Sequence, residues 1–471
     1  MALTLQTFRH ELARCFNGTA PKKVLVALSG GVDSMCLTHL LSRALDHMEI
    51  LAATIDHRYR PDSAREAAKV GSIVRRWAVS HRVRPLTYDK DPRFITNFEE
   101  MARELRYQNL RDICVAENID TLFLAHNQDD CIETFLQRLL MNSTMYGLAG
   151  LVSETGLPVA PRAPSENIRV VRPLLRFAKR DIRRYCESQA VPWFEDASNA
   201  DTRLTQRNKL RYMVNEYIPS VQETRPGTRV ASRVLLLESM DRVRLYVAHC
   251  EKQRRCLEEA ARAGGYHLNK KNATITCAVP AAALLTFEGD AVARWLYVTV
   301  QRISSSRHYH WSYAKFSRKA VPKLRGFLAG AASSTKFTYV NVVFFLEKLQ
   351  EMVRFVLKKQ PPIREDAINM AMADGKWVLF DRTWWIRACF GSDKLQQLSL
   401  MRYTSAMKGA LLEAFPAHRR GRGSLNSRTG VVPVIVDNNS RIVALPTHNF
   451  YRDGISGECV MKGGASFCNA L

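Results

Sequence analysis

The stretch Ser29-Gly30-Gly31-Val32-Asp33-Ser34 constrains this chain most. It follows an apolar run, Val24 to Leu28, that has the length of a buried parallel strand. It precedes residues 35–45, where Met35, Leu37, Leu40, Leu41, Ala44 and Leu45 recur at helical spacing. A loop so placed carries a strand into a helix N-terminus. Backbone N–H groups and the positive end of the helix dipole converge there, which makes an anion site. The two glycines let the backbone approach a phosphate with no Cβ in the way. The serines at either end add hydroxyl donors. No Lys-Ser or Lys-Thr pair follows the second glycine, so this is not a Walker A loop. The bland alternative is an ordinary strand-to-helix turn. The flanking strand, the helix and the Asp-Ser ending together favour phosphate.

Residues 1–219 alternate strand-like and helix-like segments. Val24–Leu28, Ile50–Ile55 and Thr121–Ala125 have strand length, and helical patterns cover 35–45, 63–80 and 98–118. That alternation predicts an α/β fold, a doubly wound parallel sheet with ligands at the carboxyl ends of its strands. Residues 220–232 contain Pro226 and Gly227 with few apolar residues and read as a linker. Residues 233–373 read as a mainly helical middle domain. Residues 374–471 read as a small α+β domain, with hairpins expected around Asp381-Arg382-Thr383 and around Asp437 to Ser440.

Charge points to a partner. Lys and Arg number 69 against 45 Asp and Glu, a formal net charge of +24. Such an excess favours a polyanion, most often nucleic acid; the alternative is a basic proteome or an organelle-targeted protein. The basic stretch His418-Arg419-Arg420-Gly421-Arg422-Gly423 is a candidate contact to a nucleic-acid backbone, or else a solvated loop. The 11 cysteines include no Cys-x-x-Cys pair, which fits scattered thiols rather than a disulfide frame or a zinc site. No run of eighteen apolar residues predicts a membrane span. Met1 to Phe16 lacks the apolar core of a secretory signal and reads as a first helix or part of an organellar presequence.

Further polar clusters fall where strands should end. Asp56 and His57 close the second strand; either contacts a ribose or base there, or Asp56 simply caps a loop. The third strand runs into His126-Asn127-Gln128-Asp129-Asp130-Cys131-Ile132-Glu133-Thr134. Helical spacing puts Asp130 and Glu133 at i, i+3, and Asp129 and Glu133 at i, i+4. Acids at a strand's carboxyl end can hold Mg²⁺ on nucleotide phosphates, or pair with a cationic substrate and take its proton. The alternative is a set of helix N-terminal acids favoured by the dipole. Arg103 and Arg106 share a helix face. Arg207-Asn208-Lys209-Leu210-Arg211 starts a further helix whose arginines could neutralise a departing pyrophosphate.

Taken in order, S-G-G-V-D-S, I-D-H-R-Y-R-P-D-S, A-R-E-L-R-Y, A-H-N-Q-D-D-C-I-E-T-F-L-Q-R-L, G-L-A-G, R-P-L-L and E-D-A-S-N-A-D-T-R…R-N-K-L-R resemble the tRNA(Ile)-lysidine synthetases, a branch of the PP-loop ATP pyrophosphatases with an adenine nucleotide alpha hydrolase-like fold. The resemblance is close over residues 20–218 and weaker beyond. It implies a carbon–nitrogen ligase that adenylates the wobble cytidine of a CAU-anticodon tRNA(Ile) with ATP and then joins L-lysine to it, releasing AMP and pyrophosphate. It implies that Ser29, Gly30, Gly31, Val32, Asp33 and Ser34 hold ATP, helped by Asp56 and His57. Asp33 would lie near the phosphates and, with Asp130, near Mg²⁺. Asp130 and Glu133 match acids that hold or deprotonate lysine; Arg106 and one of Arg207 or Arg211 would face the reacting groups. Arg419, Arg420 and Arg422 become candidate tRNA contacts, and a homodimer is compatible with it. The chain departs from the bacterial pattern at Arg58, where a glycine is usual, and at Met141-Asn142-Ser143-Thr144, in place of R-G-S-G. That drift resembles a eukaryotic organellar member, so a mitochondrial matrix location is expected, with the cytoplasm as alternative. A PP-loop thiolase and a non-catalytic RNA-binding protein on the same scaffold are the competing readings.

Overall fold

The computed structural model describes residues 2–16, 21–44, 48–58, 62–88, 98–158, 163–164, 166–195, 206–218, 220, 232–306, 309–360, 369–390, 398–415 and 432–463. The chain forms two compact units that part near residue 247. The expected linker at 220–232 lies almost wholly outside the described residues.

The first unit is built on a six-stranded sheet. Its strands are β1 (Lys23–Ala27), β2 (Glu49–Asp56), β3 (Ser80–Pro85), β4 (Thr121–Phe123), β5 (Glu154–Gly156) and β6 (Arg169–Val171), in the order β3-β2-β1-β4-β6-β5. All pairs are parallel except β5 with β6. Its helices include α1 (Leu5–Cys15), α2 (Val32–Ala44), α3 (Ser63–Arg75), α4 (Phe98–Ala116), α5 (Gln128–Leu140), α6 (Met145–Leu148), α7 (Lys179–Ser188) and α8 (Gln206–Tyr212). Central β1 is buried on both faces, which is why it reads as an unbroken apolar run. Val24 and Val26 pack with Met35, Leu40 and Ile182, whereas Leu25 packs with Tyr107, Leu110 and Ile113 of α4. The fold is thus α/β with a parallel sheet, as the alternation predicts. The helical pattern over 63–80 overshoots: α3 stops at Arg75 and β3 begins at Ser80. This edge strand leaves five of its six residues exposed, Arg82 and Arg84 among them, so it carries no apolar signal.

Residues 233–373 carry more helix than strand, the long helix Arg233–Ala263 among it, and they also form a sheet that the mainly helical expectation leaves out. Within that range lie β7 (His267–Asn269), β8 (Thr274–Pro280), β9 (Ser334–Tyr339), β10 (Val342–Leu349) and β11 (Met352–Lys359), an antiparallel sheet in the order β7-β8-β11-β10-β9. The hairpin between β9 and β10 turns on Val340 and Asn341, both at positive φ, the backbone of a two-residue primed turn. Burial then alternates along β8, β10 and β11 at period two. The helices Gly289–Gln301 and Val321–Ala329 are present as expected; the ring of Trp295 meets Phe355 edge-on at 5.2 Å on the sheet's inner face.

The C-terminal part adds β12 (Met370–Met372), β13 (Val378–Phe380), β14 (Trp384–Cys389), β15 (Leu398–Arg402), β16 (Pro433–Val436), β17 (Ile442–Leu445), β18 (Phe450–Tyr451) and β19 (Ser456–Met461). They form sheets β12-β15-β16-β17-β18 and β13-β14-β19. Both expected hairpins form, β13 with β14 and β16 with β17. Next to β19, the Lys462 ammonium donates to the Ser304 carbonyl. Burial, then the charges of Lys359 and Arg382, push it down to about 7, with Asp381 opposing. A lysine in the unfolded chain keeps its proton to about pH 10.4. Between those values the unfolded chain binds more protons, so stability rises with pH, by at most about 1.4 kcal/mol per unit. Lys462→Met is expected to flatten that rise in urea unfolding between pH 7 and 9.5; an unchanged slope contradicts this.

Candidate active site

The chain leaves β1 toward β2 and β3 on one side, and β4 lies on the other, so the strand order reverses between β1 and β4. In open α/β sheets ligands bind outside the carboxyl ends of the strands at such a point. The Ser29–Ser34 loop follows β1. The His126–Glu133 segment follows β4.

The loop is fastened by its own side chains. Gly30 sits at φ +86°, and a Cβ there would stand 2.9 Å from Val70 Cγ2, so only glycine fits without displacement. The Gly30 carbonyl accepts the Phe194 N–H at 3.0 Å. Ser34 Oγ donates to the Gly31 carbonyl at 3.0 Å, accepts the Ser29 N–H at 3.2 Å and lies 3.1 Å from Ser29 Oγ. The two serines therefore brace the turn from which α2 starts.

Asn127 joins this loop to the acids. It is the N-cap of α5: its Oδ1 accepts the N–H groups of Asp129 and Asp130 at 2.8 and 3.1 Å, and its own N–H donates to Asp130 Oδ2 at 2.9 Å. Its Nδ2 donates to Asp33 Oδ1 at 3.0 Å. Lys179 Nζ, on the first residue of α7, stands 3.7 Å from Asp33 Oδ2. Burial raises the Asp33 carboxyl above its ordinary value, with Lys179 and Asn127 opposing.

The other acids are paired. Glu133 is buried and takes a bidentate bond from Arg211, Nε to Oε1 at 2.7 Å and Nη2 to Oε2 at 3.2 Å. Asp129 accepts the Lys179 backbone N–H at 2.7 Å and Arg233 Nη1 at 2.6 Å; Arg233 also reaches Gln128 Oε1 at 2.9 Å. Burial alone would raise Asp129, but Arg233 and the Lys179 amide outweigh it and leave the carboxyl below its usual value. Arg172, buried just after β6, donates to His126 Nδ1 at 3.1 Å and Thr155 Oγ1 at 3.0 Å.

Of the sequence candidates, Asp33 and Asp130 are joined through Asn127, and Glu133 and Arg211 form a pair of their own. Asp56 Oδ1 accepts the Arg58 N–H at 2.9 Å, the loop-capping alternative. His57 Nδ1 lies 2.9 Å from the Tyr88 hydroxyl, and burial with the nearby Arg106 charge lowers its pKa, Asp56 opposing. Arg106 thus lies on the His57 side of the site. Arg207 falls in α8, but its side chain is outside the described residues, as are Arg419, Arg420 and Arg422 entirely. Among the described residues no group of three or more His, Cys, Asp and Glu side chains is placed to hold a metal ion.

Three participants were missed in the sequence. Asn127 carries a local signal, an N-cap residue three positions before an acid at a helix start. Lys179 and Arg233 lie 50 and 104 residues from Asp129, and nothing local marks either as a partner.

Residues 4–218 match the family model for the PP-loop domain. The chain is 30% identical over 244 residues to a Schizosaccharomyces pombe protein named a probable tRNA(Ile)-lysidine synthase, covering 49% of this chain and 52% of that one. It is 34% identical over 207 residues to the tRNA(Ile)-lysidine synthase of Ruegeria pomeroyi, covering 43% and 47%. It is 32% identical over 220 residues to that of a Nostoc species, covering 46% and 60%. The chain therefore spans roughly half the length of these curated relatives. The loop, the sheet reversal and the capped acidic helix all fall within the residues 4–218 that match the PP-loop domain model.

Proposed function

We propose that this chain is a tRNA(Ile)-lysidine synthetase: it adenylates the wobble cytidine of a CAU-anticodon tRNA with ATP and then joins lysine to it. The bond from Asn127 to Asp33 carries the reading, because it ties the anion-binding loop to the acidic end of α5. The match to the PP-loop domain and the likeness to named lysidine synthases support it.

In the first step the C2 oxygen of the cytidine attacks the α-phosphorus of ATP, and the bond to pyrophosphate breaks. The N–H groups of Ser29 to Ser34 and the α2 dipole receive the phosphates. Lys179, beside Asp33, and Arg106, beside His57, meet the charge that leaves. Asp33, bonded to Asn127, would hold Mg²⁺, which takes one or two carboxylates plus substrate phosphates and would supply charge neutralisation there. In the second step a lysine amine attacks C2, AMP leaves with the oxygen, and the amine loses a proton. Asp130 and Glu133 supply the negative charge that receives the lysine ammonium, and a carboxylate takes the proton.

The competing thiolase reading needs a reactive sulfur. Cys131 is the thiol inside the acidic motif; burial pushes it up to about 11, which disfavours the thiolate. A non-catalytic scaffold has no use for the braced loop. Incubating the chain with ATP, labelled lysine and a CAU-anticodon tRNA is expected to give lysine-dependent AMP release and labelled tRNA. Neither product would appear if the reading is wrong. Asp130→Asn should still adenylate but fail to transfer lysine; equal failure of both steps would assign Asp130 to metal or structure instead.

A further inference from the structure

The sheet β7-β8-β11-β10-β9 has two different faces. Its inner face buries Ile275, Cys277, Val279, Phe344, Leu346, Phe355 and their neighbours. The strand register fixes what stands on the other face. One row runs His267, Thr276, Val356, Phe345, Lys336 across the five strands. The row on one side of it holds Thr274, Lys358, Val343 and Thr338; the row on the other holds Ala278, Arg354, Glu347 and Ser334. Lys336, Phe345, Arg354 and Lys358 are exposed. Three cations thus surround an aromatic ring that is 41% exposed. Among the described residues of these rows the one acid, Glu347, lies 3.6 Å from Arg354.

Strands sit about 4.8 Å apart and residues two apart on one strand about 6.7 Å. Lys358 and Arg354 therefore stand some 13 Å apart along β11, with Phe345 between them on the next strand and Lys336 beyond it. An open sheet face with an exposed aromatic and flanking cations suits one class of partner. Unpaired RNA offers bases to stack on the ring and phosphates to meet the cations. An acidic protein surface would use the cations but gain little from the isolated ring.

We propose that this face docks an unpaired segment of RNA, which under the function proposed above is a second contact to the tRNA, independent of the site on α5. The experiment uses the full chain and a fluorescently labelled CAU-anticodon tRNA transcript, with anisotropy read across a salt series. Phe345→Ala is expected to weaken binding about ten-fold through lost stacking. Lys336→Ala with Lys358→Ala is expected to make the slope of log K against log salt shallower by about 1.4, two single-strand phosphate contacts. All three side chains are exposed, and unchanged melting temperatures check that the variants fold. Wild-type affinity and slope in both variants would overturn the proposal. So would variants that bind the transcript normally but lose binding to anionic lipid vesicles, which would assign the face to a membrane surface. Lysine transfer is measured in parallel on the wild type. Transfer with unaltered RNA binding in the variants sinks this surface alone, and weakened RNA binding without any transfer upholds the surface while sinking the ligase reading.

Discussion

Replacing Asn127 with serine should leave the protein folded and cripple adenylation. Asn127 does two separable things: it caps α5, and it donates to Asp33 in the phosphate loop. Serine is a good N-cap, so the first is kept. Its hydroxyl sits on a shorter side chain than the Asn127 amide, so the 3.0 Å bond to Asp33 is lost. Asp33 then keeps Lys179 at 3.7 Å as its remaining contact in this network. A misplacement near 1 Å at a reacting centre can cost about 100-fold, so pyrophosphate release in the absence of lysine should fall between about 10- and 100-fold. Asn127→Ala removes the cap as well and should lower stability by about 1 kcal/mol. Asn127→Asp keeps the cap but sets a carboxylate against Asp33, and should be at least as inactive as the serine variant. If the serine variant releases pyrophosphate at the wild-type rate, Asn127 is a cap and nothing more.

What could be read in the sequence follows from how local each signal is. The phosphate loop is local: a strand, two glycines and a helix start within some twenty residues, and the structure places them as expected. The α5 acids are equally local, but their partners are not. Glu133 is one of three acids in a row of helical positions until the structure brings Arg211 to it from α8. Asp129 is claimed by Arg233, which the sequence places beyond an expected linker. Such pairings follow from how helices pack after the sheet forms, and no periodicity encodes them. The β9 to β11 sheet was missed for a different reason. The β9 to β11 stretch does alternate, but Phe344-Phe345 and Val342-Val343 set apolar residues on both faces, which blurs the period-two pattern. The turn at Val340-Asn341 added no sign, since Asn341 tolerates a positive φ but β-branched Val340 rarely adopts one, so the pair does not read as a hairpin turn.

Glu133 with Arg211 should give the largest effect on both stability and chemistry. Glu133 is almost wholly buried, and its side-chain oxygens are held by two guanidinium bonds. Removing one partner of a buried pair typically costs 3–5 kcal/mol, because the other charge stays behind without compensation. Arg211 is a quarter exposed, so water relieves part of its charge, and Glu133→Ala is expected to cost about 2–3 kcal/mol. Arg211→Met strands the more deeply buried partner and should cost more, toward the upper end of that range. The double variant Glu133→Leu with Arg211→Met removes both charges and should recover most of the stability, leaving a coupling of about 2 kcal/mol or more in the cycle. Chemistry separates the roles. If the pair only holds α8 against α5, lysine transfer should return with stability in the double variant. If Glu133 also receives the lysine amine, the double variant should melt close to wild type and still transfer no lysine. The second outcome is expected, because Glu133 lies one helical turn from the capped Asp130 and shares α5 with it.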